Sequence, residues 1–366
     1  MHLKIALLGG DGIGPEVSQE AVNVMNTVAT MGGHVFEFVP LLIGGVAIDA
    51  EGTPLPQATV DATLQCDAAF LGAVGHNKFN LLPPSERPEM GLLKIREALG
   101  GFANLRPAVA YKALADNSPL RPEITDGADI LFVRELLGGL YFGQPRAWDK
   151  EARRAHNTMA YTQAEVERVA RIAFELAAKR PRKKLTSVDK ANVLETSQMW
   201  RYVVDLVAKE YPTVTLEHQL VDSMAIHLMN RPRDFDVVLT ENLFGDILSD
   251  ESGVITGSLG MLPSATLGGK VNLYEPVHGS APDIAGTGKA NPIGAILTAA
   301  LLLRHSARLE REAKVIENAV VDILDAGYRT VDIARGSIAG QTTVSTMQMG
   351  ELILDKVEAA LSSASL

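Results

Sequence analysis

The chain has 366 residues, 46% of them apolar and 21% charged, enough for two domains with buried cores and a deep cleft. Lys and Arg number 34 against 44 Asp and Glu, a formal charge of −10, and no basic block exceeds KRPRKK at 179–184, which argues against nucleic acid as the main partner. A single cysteine, Cys66, excludes an intramolecular disulfide framework and a cysteine-built metal cage; with neither signal peptide nor membrane span evident, the sequence predicts a cytoplasmic protein.

Short apolar runs alternate with helix-period segments over nearly the whole length, the pattern of a mostly parallel sheet with helices on its faces. The first predicted strand, 4–10, runs through GGDGIGPE into a helix over 15–31 with Pro15 in its first turn. This passage resembles a dinucleotide-binding loop but fails that template, because the third glycine falls at Pro15. It reads as a tight turn and helix start. Strands at 34–40 and 67–75 follow, then an irregular stretch, 75–91, of the length that more often carries function than idles.

Arg96, Arg106 and Arg134 come next, the last at the end of a strand predicted over 128–135. A lone arginine is as readily a solvated surface group, and Arg96 reads either way. Three together would suit a substrate with two carboxylates, each guanidinium fork gripping one through paired charge-assisted bonds. Tyr141, among the glycines of LGGLYFGQP, is a packed ring or a general acid.

A helix over 163–179 opens on a capping box, Thr162 with Glu165. The strand 184–190 ends in Asp189 and Lys190 before a helix over 196–209. Lys190 is an exposed lysine at a helix start or, since a cation there opposes the macrodipole, a group placed for another purpose. Asp222 reads as an N-cap or as a ligand.

The strand 234–241 leads into TENLFGDILSDE, which sets Asp246 and Asp250 four positions apart on one helical face. With Asp222 they form an all-oxygen candidate donor set that favours Mg²⁺ or Mn²⁺ over zinc. In the irregular segment 257–292, the small residues of YEPVHGSAPDIAGTGKANP would admit a nucleotide close to the backbone. There Asp283 suits a ribose hydroxyl pair and favours NAD over NADP. Helices over 292–309, 312–326 and 347–361 complete the chain.

Seven segments carry a resemblance in common: GGDGIGPE, GLLKIREALGGFANLRPA, VRELLGGLYFG, SVDKANVL, VDSMAIHLM, ENLFGDILSDE and VHGSAPDIAGTGKANP. In order and spacing they resemble the β-decarboxylating hydroxyacid dehydrogenases, that is, the isocitrate/isopropylmalate dehydrogenase family, over nearly the whole chain. That resemblance implies an α/β, two-domain fold with parallel and mixed sheets flanked by helices, and not a Rossmann fold. It implies a cofactor-binding domain built from both chain ends, 1–101 plus 257–366, and a substrate, metal and dimerisation domain over 102–256. A homodimer with active sites shared between subunits is implied as well.

The implied reaction is NAD-dependent oxidative decarboxylation of 3-isopropylmalate to 4-methyl-2-oxopentanoate, a step of leucine biosynthesis, requiring Mg²⁺ or Mn²⁺. The resemblance makes Arg96, Arg106 and Arg134 the carboxylate clamp, Tyr141 the general acid and Lys190, from the partner subunit, the general base. Asp246 and Asp250 would be metal ligands of one subunit and Asp222 a ligand from the other. NAD contacts are implied for Ile13, Glu89, His278, Gly279, Ser280, Ala281, Asp283, Ile284 and Asn291.

Leu92 and Leu93, where isocitrate-using relatives carry polar residues, with Val193 from the partner subunit, would wall an isopropyl group. Isocitrate, homoisocitrate, malate and tartrate are the rival substrates. A non-catalytic regulatory paralogue is the rival of a different class, and it would require a broken Tyr141, Lys190 or aspartate set, none of which is broken.

Overall fold

The computed structural model describes residues 1–335 and 340–363; the last three residues of the expected first domain lie outside them. The chain divides into two compact units, one of Met1–Gly101, Tyr111–Pro119 and Thr256–Leu366, the other of Phe102–Ala110 and Leu120–Ile255. One segment of the span expected for the second unit, Tyr111–Pro119, packs in the first. Arg329 and Arg335 of that unit hold it by donating to the carbonyls of Ala113 and Asn117 at 2.6 and 2.8 Å.

In the first unit the strand order is Val35–Pro40, His2–Gly10, Ala68–Ala73, Asn272–Tyr274 and Ala265–Leu267. The first four run parallel and the last antiparallel. Leu8 and Leu71, opposite one another in register, join Ala6, Ile43, Ala69, Ile95 and Leu273 in the core. The helix Ile293–His305 is buried along almost every face, as its sequence, apolar but for Thr298 as far as Leu303, requires, and helices Gly14–Gly32 and Glu310–Asp325 pack on it.

The helix Pro88–Leu99 begins inside the stretch expected to be irregular. Pro88 occupies its first turn and Gly100, at φ +75°, ends it. Helices Gly45–Glu51 and Gln57–Thr63 also went unanticipated, being only two turns long.

In the second unit the order is Ala103–Val109, Asp129–Glu135, Val237–Thr240, Lys184–Asp189 and Thr215–Leu220, the first antiparallel to its neighbour and the rest parallel. Two of these strands were missed. ANLRPAV contains Pro and Arg, TLEHQL is polar, and both are strands because neighbours pair with them rather than through their own propensity. The helix Gln163–Lys179 opens on the expected capping box of Thr162 and Glu165 and buries Val166, Val169, Ala170, Ala173, Phe174 and Ala177, one stripe at helical spacing.

Register decides where the polar residues gather. Arg134 lies opposite Thr240, Thr240 opposite Val188, and Val188 opposite Gln219, so four parallel strands finish in one row. The residues just beyond that row are Glu135, Glu241, Asp189 and Leu220. Ligands of open α/β sheets collect at such carboxyl ends.

Candidate active site

Beyond Thr240 the chain turns into the helix Asn242–Glu251. Glu241 caps it by accepting from the amides of Leu243 and Phe244 at 3.1 and 2.6 Å. One turn along that helix, Asp246 faces the end of the strand that carries Arg134. Arg134 is 1% exposed; its Nη1 donates to Asp246 Oδ1 at 2.5 Å, its Nη2 to Asn242 Oδ1 at 2.7 Å and its Nε to the Asn242 carbonyl at 2.9 Å.

Arg106 reaches the same helix from the neighbouring strand. Its Nη1 donates to Ser249 Oγ at 2.9 Å and to Asp250 Oδ1 at 3.0 Å, and its Nη2 lies 3.4 Å from Asp246 Oδ1. The hydroxyl of Tyr141 donates to the other Asp246 oxygen at 2.8 Å, and the Arg134 guanidinium lies 5.7 Å from the centre of its ring.

Burial first, then the Asp246 acceptor, push the Tyr141 phenol up to about 12, so it keeps its proton at neutral pH. Burial also raises the Asp250 carboxyl, against the opposing charge of Arg106. The fold thus joins Arg106, Arg134, Tyr141, Asp246 and Asp250 in one hydrogen-bonded cluster.

Lys190 and Asp222 form a separate pair, Nζ to Oδ1 2.7 Å, and that bond holds the exposed Asp222 carboxyl below its ordinary range. Asp222 is not the N-cap: Leu220 holds that position, and Asp222 sits in the first turn of the helix Val221–Asn230. The Lys190 turn is itself anchored. Asp189, 1% exposed, accepts from Ala191 N and takes both Nε and Nη2 of Arg201, and Ser197 Oγ accepts from Lys190 N at 3.1 Å. Val193, from the same turn, is 60% exposed.

In the first unit, Arg96 donates from Nε and Nη2 to Glu275 Oε1 at 3.0 and 2.7 Å, with both side chains largely buried. Arg96 is thus not a solvated surface group but is paired within its own unit. Glu89, Leu92, Leu93 and Arg96 share one face of the helix Pro88–Leu99 by their spacing. Leu92 packs partly against the core, whereas Leu93 is half-buried.

The glycine turn is explained by backbone contacts. A Cβ at Gly12, φ +58°, would fall 2.0 Å from the Ser280 carbonyl oxygen, to which Ile13 N donates at 2.8 Å. Asp11, buried, accepts from the amides of Gly45, Val46 and Gly75 at 2.8, 2.9 and 2.8 Å, and Ser280 Oγ donates to the Gly75 carbonyl at 2.6 Å. Glu89 lies beside that loop: a Cβ at Gly75 would fall 3.0 Å from its carboxylate.

His278 Nδ1 lies 3.0 Å from the Gly279 carbonyl, while its buried Nε2 has no partner; burial lowers its pKa, so the ring is neutral. Gly279 borders open space, Asp283 is exposed and Ile284 half-buried, and Ala281 adopts a positive φ of 36°. An orphaned ring nitrogen, an open glycine and an exposed carboxylate fit a bound nucleotide. Ile13 is 5% exposed, which leaves it chiefly its backbone to offer. Asn291 is occupied structurally, its amide donating to Asp332 at 3.1 Å and its Oδ1 accepting from Ile293 N at 3.0 Å.

The donor set in the second unit fits a hard divalent cation, with Asp246 and Asp250 one turn apart and oxygen-only. Among the described residues no three His, Cys, Asp or Glu side chains converge as a metal cage, so Asp222 of the same chain does not complete a set with them. Asn242, fully buried, escaped the sequence analysis although it binds Arg134 and the carbonyls of Leu136 and Gly138. Its position just past a strand end was the available signal. Asp11, directly after the strand His2–Gly10, carried the same signal, whereas Glu275 did not, because the strand Asn272–Tyr274 before it was not anticipated.

Residues 4–353 match the family model described as isocitrate/isopropylmalate dehydrogenase. The chain is 52% identical over 364 residues to a 3-isopropylmalate dehydrogenase of Halalkalibacterium halodurans, covering 99% of both chains. It is 56% identical over 340 residues to one of Priestia megaterium, covering 92% of both. Among solved structures it resembles an isocitrate dehydrogenase from Methylococcus capsulatus, with TM-score 0.85 and 34% identity over 98% of this chain and all of that one. A β-decarboxylating dehydrogenase from Thermococcus kodakarensis is also similar, with TM-score 0.80 and 35% identity over all of this chain and 98% of that one.

Proposed function

Because the chain belongs to the isocitrate/isopropylmalate dehydrogenase family, we propose that it oxidises and decarboxylates 3-isopropylmalate to 4-methyl-2-oxopentanoate and carbon dioxide, with NAD as acceptor. The substrate is taken from the shared name of the relatives. The chemistry is carried by one observation: Arg134, Arg106 and Tyr141 all converge on Asp246. Two guanidinium groups, a protonated phenol and two carboxylates in one cluster support a reading as anion clamp, proton donor and cation ligands.

Asp246 and Asp250, with Asp222 of the partner subunit, would hold Mg²⁺ or Mn²⁺. When bound, the cation supplies Lewis acidity towards the substrate oxygens and NAD supplies a hydride acceptor. Arg106 and Arg134 exchange aspartate for substrate carboxylate and orient it through paired charge-assisted bonds. Lys190 of the partner subunit takes the hydroxyl proton at Nζ as the carbinol hydride leaves, giving a β-keto acid. The bond to the neighbouring carboxylate then breaks, carbon dioxide departs, and the electron pair left as an enolate is protonated at carbon by the Tyr141 hydroxyl. With its pKa near 12, that phenol holds the proton until the carbanion forms.

A homodimer is supported by apolar surface beside the carboxylates. Ile226 and Ile247 are 60% and 57% exposed on the two helices that carry Asp222 and Asp246, and Val193 is 60% exposed. In the first unit, the orphaned His278 nitrogen and exposed Asp283 support NAD. No helix among the described residues is long and apolar enough to cross a membrane, and a cytoplasmic location is proposed with the rest.

The test compares 3-isopropylmalate, isocitrate and malate, each with NAD and NADP, with and without a chelator. The expected outcome is NAD reduction with 3-isopropylmalate preferred over isocitrate and malate, abolished by chelation. Equal turnover of isocitrate would sink the substrate, and indifference to the chelator would sink the metal.

A further inference from the structure

Behind the Tyr141 turn lies a half-buried side chain that neither the clamp nor the proton chemistry uses. Tyr161 directly precedes the capping-box residue Thr162, and its hydroxyl joins the start of the helix Asn242–Glu251. It accepts from Asn242 N at 3.0 Å and donates to Glu241 Oε2 at 3.3 Å. The ring lies against the glycines that precede Tyr141. A Cβ at Gly138 would fall 2.3 Å from Tyr161 Cε1, and one at Gly139 would fall 2.6 Å from its hydroxyl oxygen. Gly139 N donates to the Ala160 carbonyl at 3.1 Å, and the 3-10 turn Gly139–Tyr141 follows at once.

Tyr161 therefore touches both halves of the bond that matters. On one side is the turn that carries Tyr141; on the other is the helix that carries Asp246. Its far edge meets Trp200, ring centres 5.7 Å apart and edge-on, in the helix whose Ser197 holds the Lys190 amide. Burial keeps the Tyr161 hydroxyl protonated far above the ordinary tyrosine range, so it remains a donor to Glu241.

We propose that Tyr161 is a positioning residue for Tyr141: its ring and hydroxyl clamp the Gly138–Tyr141 turn to the start of the Asp246 helix and so hold the Tyr141 phenol on its acceptor. This rests on the assignment of Tyr141 as proton donor. A donor held rigidly contributes more than the same donor free to swing, and small misplacements cost large factors in rate.

The test is a double-mutant cycle in the intact enzyme with 3-isopropylmalate, NAD and Mg²⁺. Tyr161→Phe, which keeps the ring and deletes the hydroxyl, is expected to lower kcat about tenfold while both KM values move less than about threefold. In the Tyr141→Phe background the same change is expected to cost less than about twofold, because the group it positions is already gone. A Tyr161→Phe enzyme with full kcat, or a loss repeated in full in the Tyr141→Phe background, overturns the positioning role and leaves the acid role standing. Full kcat in Tyr141→Phe alone overturns the acid role, and the proposal with it. Should Tyr161→Phe fail to fold, Glu241→Gln, which replaces the acceptor of the same hydroxyl, carries the cycle with the same criteria.

Discussion

The candidate site of the second unit is made of charges already paired with one another, whereas that of the first is made of backbone and of a polar atom left without a partner. Asp246 receives Arg134, Arg106 and Tyr141, so any ligand entering there must exchange partners with groups already in place. Around Gly12, Gly75 and Ser280 the backbone is held by Ile13 N on the Ser280 carbonyl, the Ser280 hydroxyl on the Gly75 carbonyl and Gly75 N on the Asp11 carboxylate, and a nucleotide would meet His278 Nε2 with nothing to displace. The difference separates two tasks. Electrostatic preorganisation is costly to bury and suits the transition state, while a cradle built mainly from backbone suits binding an invariant cofactor.

The strongest way to break this contrast is Arg134→Ala. It leaves Asp246 and the buried Asn242 without their main donor, and the expected cost is about 3 kcal/mol in urea unfolding with a fall of roughly 10³-fold in kcat/KM. An unfolding midpoint unchanged from wild type would mean that the cluster is not pre-paired in solution. Tyr141→Phe is expected to separate chemistry from architecture: kcat falls about 10²-fold while thermal stability barely moves, since the residue is only half-buried. Equal losses in melting temperature and rate would argue for a structural tyrosine.

Gly12→Ala probes the other unit. With φ +58° and a carbonyl oxygen 2.0 Å from the new Cβ, it should cost about 2 kcal/mol and raise KM for NAD, leaving KM for 3-isopropylmalate nearly untouched. A rise confined to the substrate KM would place the glycine turn on the wrong ligand.

The smallest effect concerns pH. Burial, partly offset by the amides of Leu137 and Gly138 and by Arg168, raises the Glu135 carboxyl above its ordinary value of 4.5. Its contribution to stability is therefore complete below that value and is lost as pH rises through the raised one. Glu135→Gln should lose less stability than wild type between mildly acid and neutral pH, read from urea midpoints. Parallel curves would show that other groups govern that slope.

Much of this was legible along the chain because it depends on local pattern. Thr162 and Glu165 announce a helix start by three-residue spacing, and Asp246 and Asp250 share a face because four residues make about one turn. The family resemblance then supplied roles for Arg106, Arg134 and Tyr141, and the structure draws these three onto one carboxylate. Other features left no local trace. Asn242 and Tyr161 are ordinary residues in sequence, and their contacts span 108 and 81 positions. ANLRPAV became a strand only through pairing with Asp129–Glu135.

By itself, then, the sequence determined the long helices and the apolar parallel strands, which glycines permit the Asp11 turn, and which acids and bases are available at strand ends. Only the tertiary structure decided their partners. Strand register set Arg134 in line with Thr240 so that Asp246 came within its reach, Arg96 was committed to Glu275 and Asn291 to Asp332. Periodicity reports the face a residue occupies; its partner is chosen by long-range packing, which no local window contains.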